Sequence, residues 1–84
     1  MNELAALEAV LFVTESPVPA SELAEVLEVS TRHVEDLLGQ LGEEMEARGS
    51  GLVLRPVAGG WRLYSHPDAY AHLERFATLA TARK

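Results

Sequence analysis

Three histidines, an aspartate close to two of them, a group of glutamates and a Gly-Ser-Gly tripeptide are the side chains here whose types could do chemistry. His33, His66 and His72 fall on different elements, without the spacing by which imidazoles share a metal ion. Asp68 and His72 stand one helical turn apart, which by itself makes a surface contact. Glu43, Glu44 and Glu46 fit a solvated helix face better than an acid cluster, and Gly49-Ser50-Gly51 lacks the Gly-x-Ser-x-Gly elbow that would expose a nucleophile. Neither a phosphate-binding loop nor a dinucleotide fingerprint occurs. With no cysteine, a disulfide scaffold, a thiol nucleophile and a cysteine zinc site are excluded. The expectation is therefore a non-enzyme, with no catalytic residue, no metal, no cofactor and no small-molecule substrate.

The remaining chemistry is phosphate recognition, and its natural carriers are Arg32, Arg55, Arg62 and Tyr64. The charge balance opposes it. Seven basic residues face thirteen acidic ones, a net charge of −6. Up to Ser30 there are six carboxylates (Glu3, Glu8, Glu15, Glu22, Glu25, Glu28) and no basic side chain; from Leu52 onward Arg55, Arg62, Arg75, Arg83 and Lys84 outnumber Asp68 and Glu74.

Two helices must position Arg32. Ser21 to Met45 reads as a pair joined by a tight turn: Leu23, Ala24 and Leu27 line one side of the first, and Val34, Leu37, Leu38, Leu41 and Met45 recur at helical spacing along the second. Ala24 is small enough for a close crossing, Val29 is an apolar turn residue, and Ser30 or Thr31 caps the second helix; this is the spacing of a helix-turn-helix. In such a motif the start of the second helix approaches base edges. Here that surface carries Ser30, Thr31, Arg32, His33, Glu35, Asp36 and Gln40, so one firm cation sits among carboxylates that would face an anionic groove. Glu28 also holds the turn position where glycine is usual. Direct DNA binding is disfavoured, with the wing residues Arg55, Arg62 and Tyr64 as its best remaining route.

Upstream, Asn2 caps a first helix running to about Thr14, which Glu15-Ser16-Pro17-Val18-Pro19 ends; the next begins at Ala20 or Ser21. Downstream, Arg48-Gly49-Ser50-Gly51 is a stop signal before strands Leu52 to Val57 and Trp61 to about Ser65. The link Ala58-Gly59-Gly60-Trp61 suits a two-residue hairpin, since glycine takes the positive φ of a primed turn. That places Leu52, Leu54, Trp61 and Leu63 toward the helices and Arg55, Val57, Arg62 and Tyr64 on the other side, and Pro56 implies an edge strand. His66-Pro67-Asp68 opens a last helix whose apolar stripe is Ala69, Tyr70, Leu73, Phe76 and Ala77. The fold expected for residues 1–84 is a single, mainly α domain with a small β-hairpin, a winged helix-turn-helix in the order helix, helix, helix, hairpin, helix.

The first helix is unusual. From Leu4 to Val13 only Glu8 is polar; Leu4, Leu7 and Leu11 form one stripe, and Ala5, Ala9, Phe12 and Val13 a second, roughly opposite. Either the rest of the domain wraps this helix, or the second stripe meets another chain, in which case Ala5, Ala9, Phe12 and Val13 are the candidate dimer interface. The apolar run is too short for a bilayer and no basic segment precedes it, so a soluble, cytoplasmic protein with no membrane role is expected.

Three stretches together, LEAVLFVTESPVPASELAEVL, a short recognition helix and GLVLRPVAGGWRLYSHPDAY, resemble the N-terminal winged-helix domain of bacterial segregation and condensation protein B, from about Leu4 to Phe76. The most specific parts are Leu7 to Val13 leading into Pro17, and the wing Val57 to Leu63; Pro19-Ala20-Ser21 departs from the family's usual cap for helix two. The resemblance implies a non-catalytic, nucleoid-associated subunit of a condensin-like complex, acting in chromosome condensation and segregation. It also implies a homodimer joined largely through this domain, a kleisin partner, and a second winged-helix domain, so that the present chain would be the N-terminal half of a longer protein. A winged-helix transcription regulator that binds DNA is the alternative, and an isolated dimerisation domain a third reading.

Overall fold

In the computed structural model, which describes residues 1–83, three helices and a hairpin build one body, and a short turn leads into a last helix that projects from it. Helix α1 spans Glu3–Val13, α2 Ala20–Leu27 and α3 Thr31–Ala47; strands β1 (Leu52–Val57) and β2 (Gly60–Ser65) form an antiparallel hairpin; a 3-10 turn, Pro67–Ala69, leads into α4, Tyr70–Ala82. This is the winged-helix order that the apolar spacing predicts.

Local chemistry accounts for the boundaries. Asn2 Oδ1 accepts a hydrogen bond from the Ala5 N–H (2.8 Å) and Ser30 Oγ one from the His33 N–H (3.1 Å), so α1 and α3 both start on a side-chain cap. Helix α2 ends at Glu28, whose φ of +57° is left-handed; a glutamate there tolerates what glycine would adopt freely. At the end of α3, Gly49 turns left-handed at φ +64° while Ser50 N–H donates to Met45 O, which closes the helix where the stop signal lies.

The core is Leu7 and Leu11 from α1, Leu23 and Ala24 from α2, and Val34, Leu37, Leu38, Leu41 and Met45 from α3, all buried. Leu4, Leu27, Val29, Leu54, Trp61 and Leu63 pack around it. The hairpin faces fall as expected with one exception: Leu52, at the open end of β1, is 39% exposed because the core does not reach that far.

The turn itself needs correction. Val57 pairs with Gly60 and Pro56 with Trp61, so the two loop residues are Ala58 and Gly59, at φ +48° and +78°, and not the two glycines. A shift of two residues preserves which face each side chain takes, and so the pattern alone could not reveal it. Gly60 is needed for another reason. Val18, held extended between Pro17 and Pro19, bridges to Trp61 by two backbone hydrogen bonds of 2.9 and 2.8 Å. A Cβ on Gly60 would lie 2.8–2.9 Å from backbone atoms of Pro17 and Val18, so only glycine admits this third strand-like segment.

The last helix also differs in its start. Proline does open the segment, but as one turn of 3-10 helix capped by an imidazole: His66 Nδ1 accepts from the Asp68 N–H at 3.0 Å. Asp68 then lies against His66 (3.8 Å) and forms no such contact with His72.

Candidate protein-contact surfaces

The recognition helix presents Ser30, Thr31, Arg32, His33, Glu35, Asp36 and Gln40 as exposed side chains. His33 is engaged from below, its Nε2 lying 2.8 Å from Glu3 Oε1, and at the far end of the same helix Arg48 Nη2 donates to Glu8 Oε2 at 3.2 Å. These two contacts pin α1 across both ends of α3. They also neutralise two of the positive or potentially positive groups around that helix, and among the described residues Arg32 has no ion-pair partner. Arg55 and Arg62 are cross-strand partners on the outer face of the hairpin, and the Arg62 guanidinium sits 5.3 Å over the Tyr64 ring. Arg32 lies on a different element, near the start of α3. It stands ten residues, about 15 Å of helix, above Gly42, where α3 reaches the groove against β1. Three of the four sequence-chosen phosphate contacts thus share the hairpin's outer face, and the fourth stands on the recognition helix.

The histidines give no metal centre: among the described residues no group of three or more His, Asp and Glu side chains converges. No helix there is long and apolar enough to cross a membrane.

Of the α1 residues chosen from sequence, Ala5 is half-buried and Ala9, Phe12 and Val13 are exposed, Phe12 at 76%. The second stripe of α1 therefore faces away from the core that the first stripe builds, and Val26 of α2 is exposed as well. The larger surprise is α4. It buries nothing; Tyr70 is 67% and Phe76 72% exposed, and its substantial contacts are confined to the 3-10 turn before it. At its base an open groove of about 610 Å³ is lined by Met45, Leu52, Leu54, His66, Asp68 and His72, among others. The periodicity of α4 shows an apolar stripe, but periodicity says only that a face is apolar, not what meets it.

A helix-turn-helix, a hairpin wing packed on its third helix and a preceding helix in the core define a winged-helix domain. Residues 5–84 match the family model for the segregation and condensation complex subunit ScpB. A segregation and condensation protein B from Moorella thermoacetica is 37% identical over 73 residues, covering 87% of this chain and 37% of that protein; one from Desulforamulus reducens is 33% identical over 70 residues, covering 83% and 39%. The crystal structure of ScpB from Mycobacterium tuberculosis superposes with a TM-score of 0.86 at 34% identity, over 98% of this chain and 51% of that one. A crystallised dimer of a ScpB N-terminal domain complexed with a ScpA peptide shares the fold at 24% identity, with a TM-score of 0.82 over 87% of this chain and 91% of that one. The chain belongs to the ScpB family. It spans under two fifths of the length of these two curated relatives.

Proposed function

We propose that this domain is a non-catalytic interaction module of a bacterial condensin-like complex, acting in the cytoplasm at the nucleoid in chromosome condensation and segregation. It pairs with a second copy and contacts the kleisin subunit, as the ScpB N-terminal domain crystallised as a dimer with a ScpA peptide does. The observation that carries this reading is the recognition face of a ScpB-family winged helix on which Glu35 and Asp36 flank Arg32, a surface that repels phosphate at short range. The α1 face made by half-buried Ala5 and exposed Ala9, Phe12 and Val13 is proposed as the contact with the second copy. Because Phe12 lies outside the core, Phe12→Asp should keep the helical spectrum.

The Arg55, Arg62 and Tyr64 patch is what favours the alternative, a DNA-binding regulator. Fluorescence anisotropy separates the two. A labelled kleisin fragment should bind saturably, whereas duplex DNA should bind weakly at both roughly 50 mM and 200 mM salt; tight DNA binding that collapses between those salts would overturn the proposal.

A further inference from the structure

The hairpin occupies the longest stretch of this chain without a carboxylate. Thirteen acidic residues are spread over the sequence, yet none falls between Glu46 and Asp68, where Arg48, Arg55, Arg62 and His66 lie. On the outer face of the hairpin Arg55 and Arg62 stand directly opposite each other, and like charges so placed weaken a sheet. No acid relieves them: among the described residues neither arginine has an ion-pair partner. Glu46 and Asp68 line the groove that Arg55 borders, but Asp68 turns to His66 at 3.8 Å and neither carboxylate reaches ion-pair distance of Arg55. The rest of this face is Val53 opposite Tyr64 and Val57 opposite Gly60. Tyr64 carries the Arg62 guanidinium over its ring, 5.3 Å from the centroid, so one of the two cations is already oriented. A cation pair kept at a cost beside an aromatic ring is suited to an anion that brings flat groups with it.

We propose that the outer face of the hairpin binds single-stranded nucleic acid, with Arg55 and Arg62 each taking a phosphate and a base stacking at Tyr64. This goes beyond the pairing and the kleisin contact proposed above and does not depend on either. The acidic recognition helix decides between one strand and two. A duplex read by a helix-turn-helix must take the start of the second helix into its groove, and here Glu35 and Asp36 repel it there. A duplex is also stiff over about 150 base pairs and cannot bend away from them. A single strand is flexible and needs the hairpin alone. An acidic peptide would match two arginines as well, but it leaves the aromatic ring unused, whereas every base has a face to stack. The site is small, two phosphates and one base, so binding is weak and tolerant of sequence.

Fluorescence anisotropy of the whole chain with a labelled oligothymidylate of about 15 nucleotides tests this, with urea unfolding as the check on the fold. Binding should saturate at roughly 50 mM salt and weaken about seven-fold by 200 mM, as two phosphate contacts on a single strand require. Arg55→Glu should lower the affinity about ten-fold or more. The same change sets a carboxylate opposite Arg62, so the fold should be no less stable. Tyr64→Ala should lower the affinity about ten-fold and Tyr64→Phe should leave it unchanged, because the ring stacks and the hydroxyl does not. Arg32→Ala should bind as the wild type does. Absence of saturable binding at the lower salt, or binding that Arg55→Glu leaves intact, overturns the proposal. So does displacement by a glutamate-rich peptide as readily as by unlabelled oligothymidylate of equal charge, since the face would then read charge alone. A duplex that binds more tightly than the single strand and is released by Arg32→Ala overturns this assignment and the interaction-module reading together.

Discussion

Helices α3 and α4 are both amphipathic, of 17 and 13 residues, and their apolar residues follow the same period. Yet α3 buries five of them and α4 none. The difference lies in what stands opposite. Helix α3 is crossed by α1 and α2, clamped at both ends by Glu3–His33 and Glu8–Arg48, and covered by the inner face of the hairpin. Helix α4 follows the hairpin after every covering element has been used. An apolar stripe is thus a demand for a partner, and chain order decides whether that partner is internal.

The sharpest way to break the contrast is to delete equal chemistry from each helix. Leu38→Ala in α3 removes a side chain that is 1% exposed and should cost about 3 kcal/mol, a loss of roughly 12–24 °C in thermal midpoint by calorimetry. A cost below about 1 kcal/mol would mean that the α3 core is looser than it looks. Gly60→Ala asks whether the hairpin is held as firmly as α3. Its Cβ must push the Pro17–Val18 backbone away and strain both Val18–Trp61 bonds, so urea unfolding should show about 2–3 kcal/mol of destabilisation. Full stability would place the Val18 segment off the sheet in solution. The smallest effect belongs to α4: Leu73→Ala, measured at concentrations low enough for monomer, should change stability by no more than about 0.5 kcal/mol. A loss like that of Leu38→Ala would show that α4 folds back onto its own body.

Much of the body was legible because its signals are local. Capping oxygens at Asn2 and Ser30, prolines at 17 and 19, and the spacing of Val34, Leu37, Leu38, Leu41 and Met45 each act within a few residues, and the helices begin and end where those signals place them. The hairpin turn was misplaced because two registers keep the same alternation, and the contact that selects between them comes from Val18, some forty residues earlier in the chain. The capping role of His66 was missed for a similar reason: an imidazole that accepts from a backbone N–H two residues on leaves no periodic trace. Of the contact surfaces, the acidic recognition face was readable from charge alone, whereas the pairing of His33 with Glu3, thirty residues apart, was not.

By itself, the amino-acid order determined which faces are apolar, where α1 and α3 start and stop, and that the recognition surface carries the wrong sign for phosphate, because capping, periodicity and net charge are properties of neighbours along the chain. Only the tertiary structure decided which apolar faces find cover. That depends on how three helices and a hairpin share one small core, and in this packing the Leu7–Leu11 side of α1 is enclosed while Phe12, Val13 and the whole of α4 remain in water.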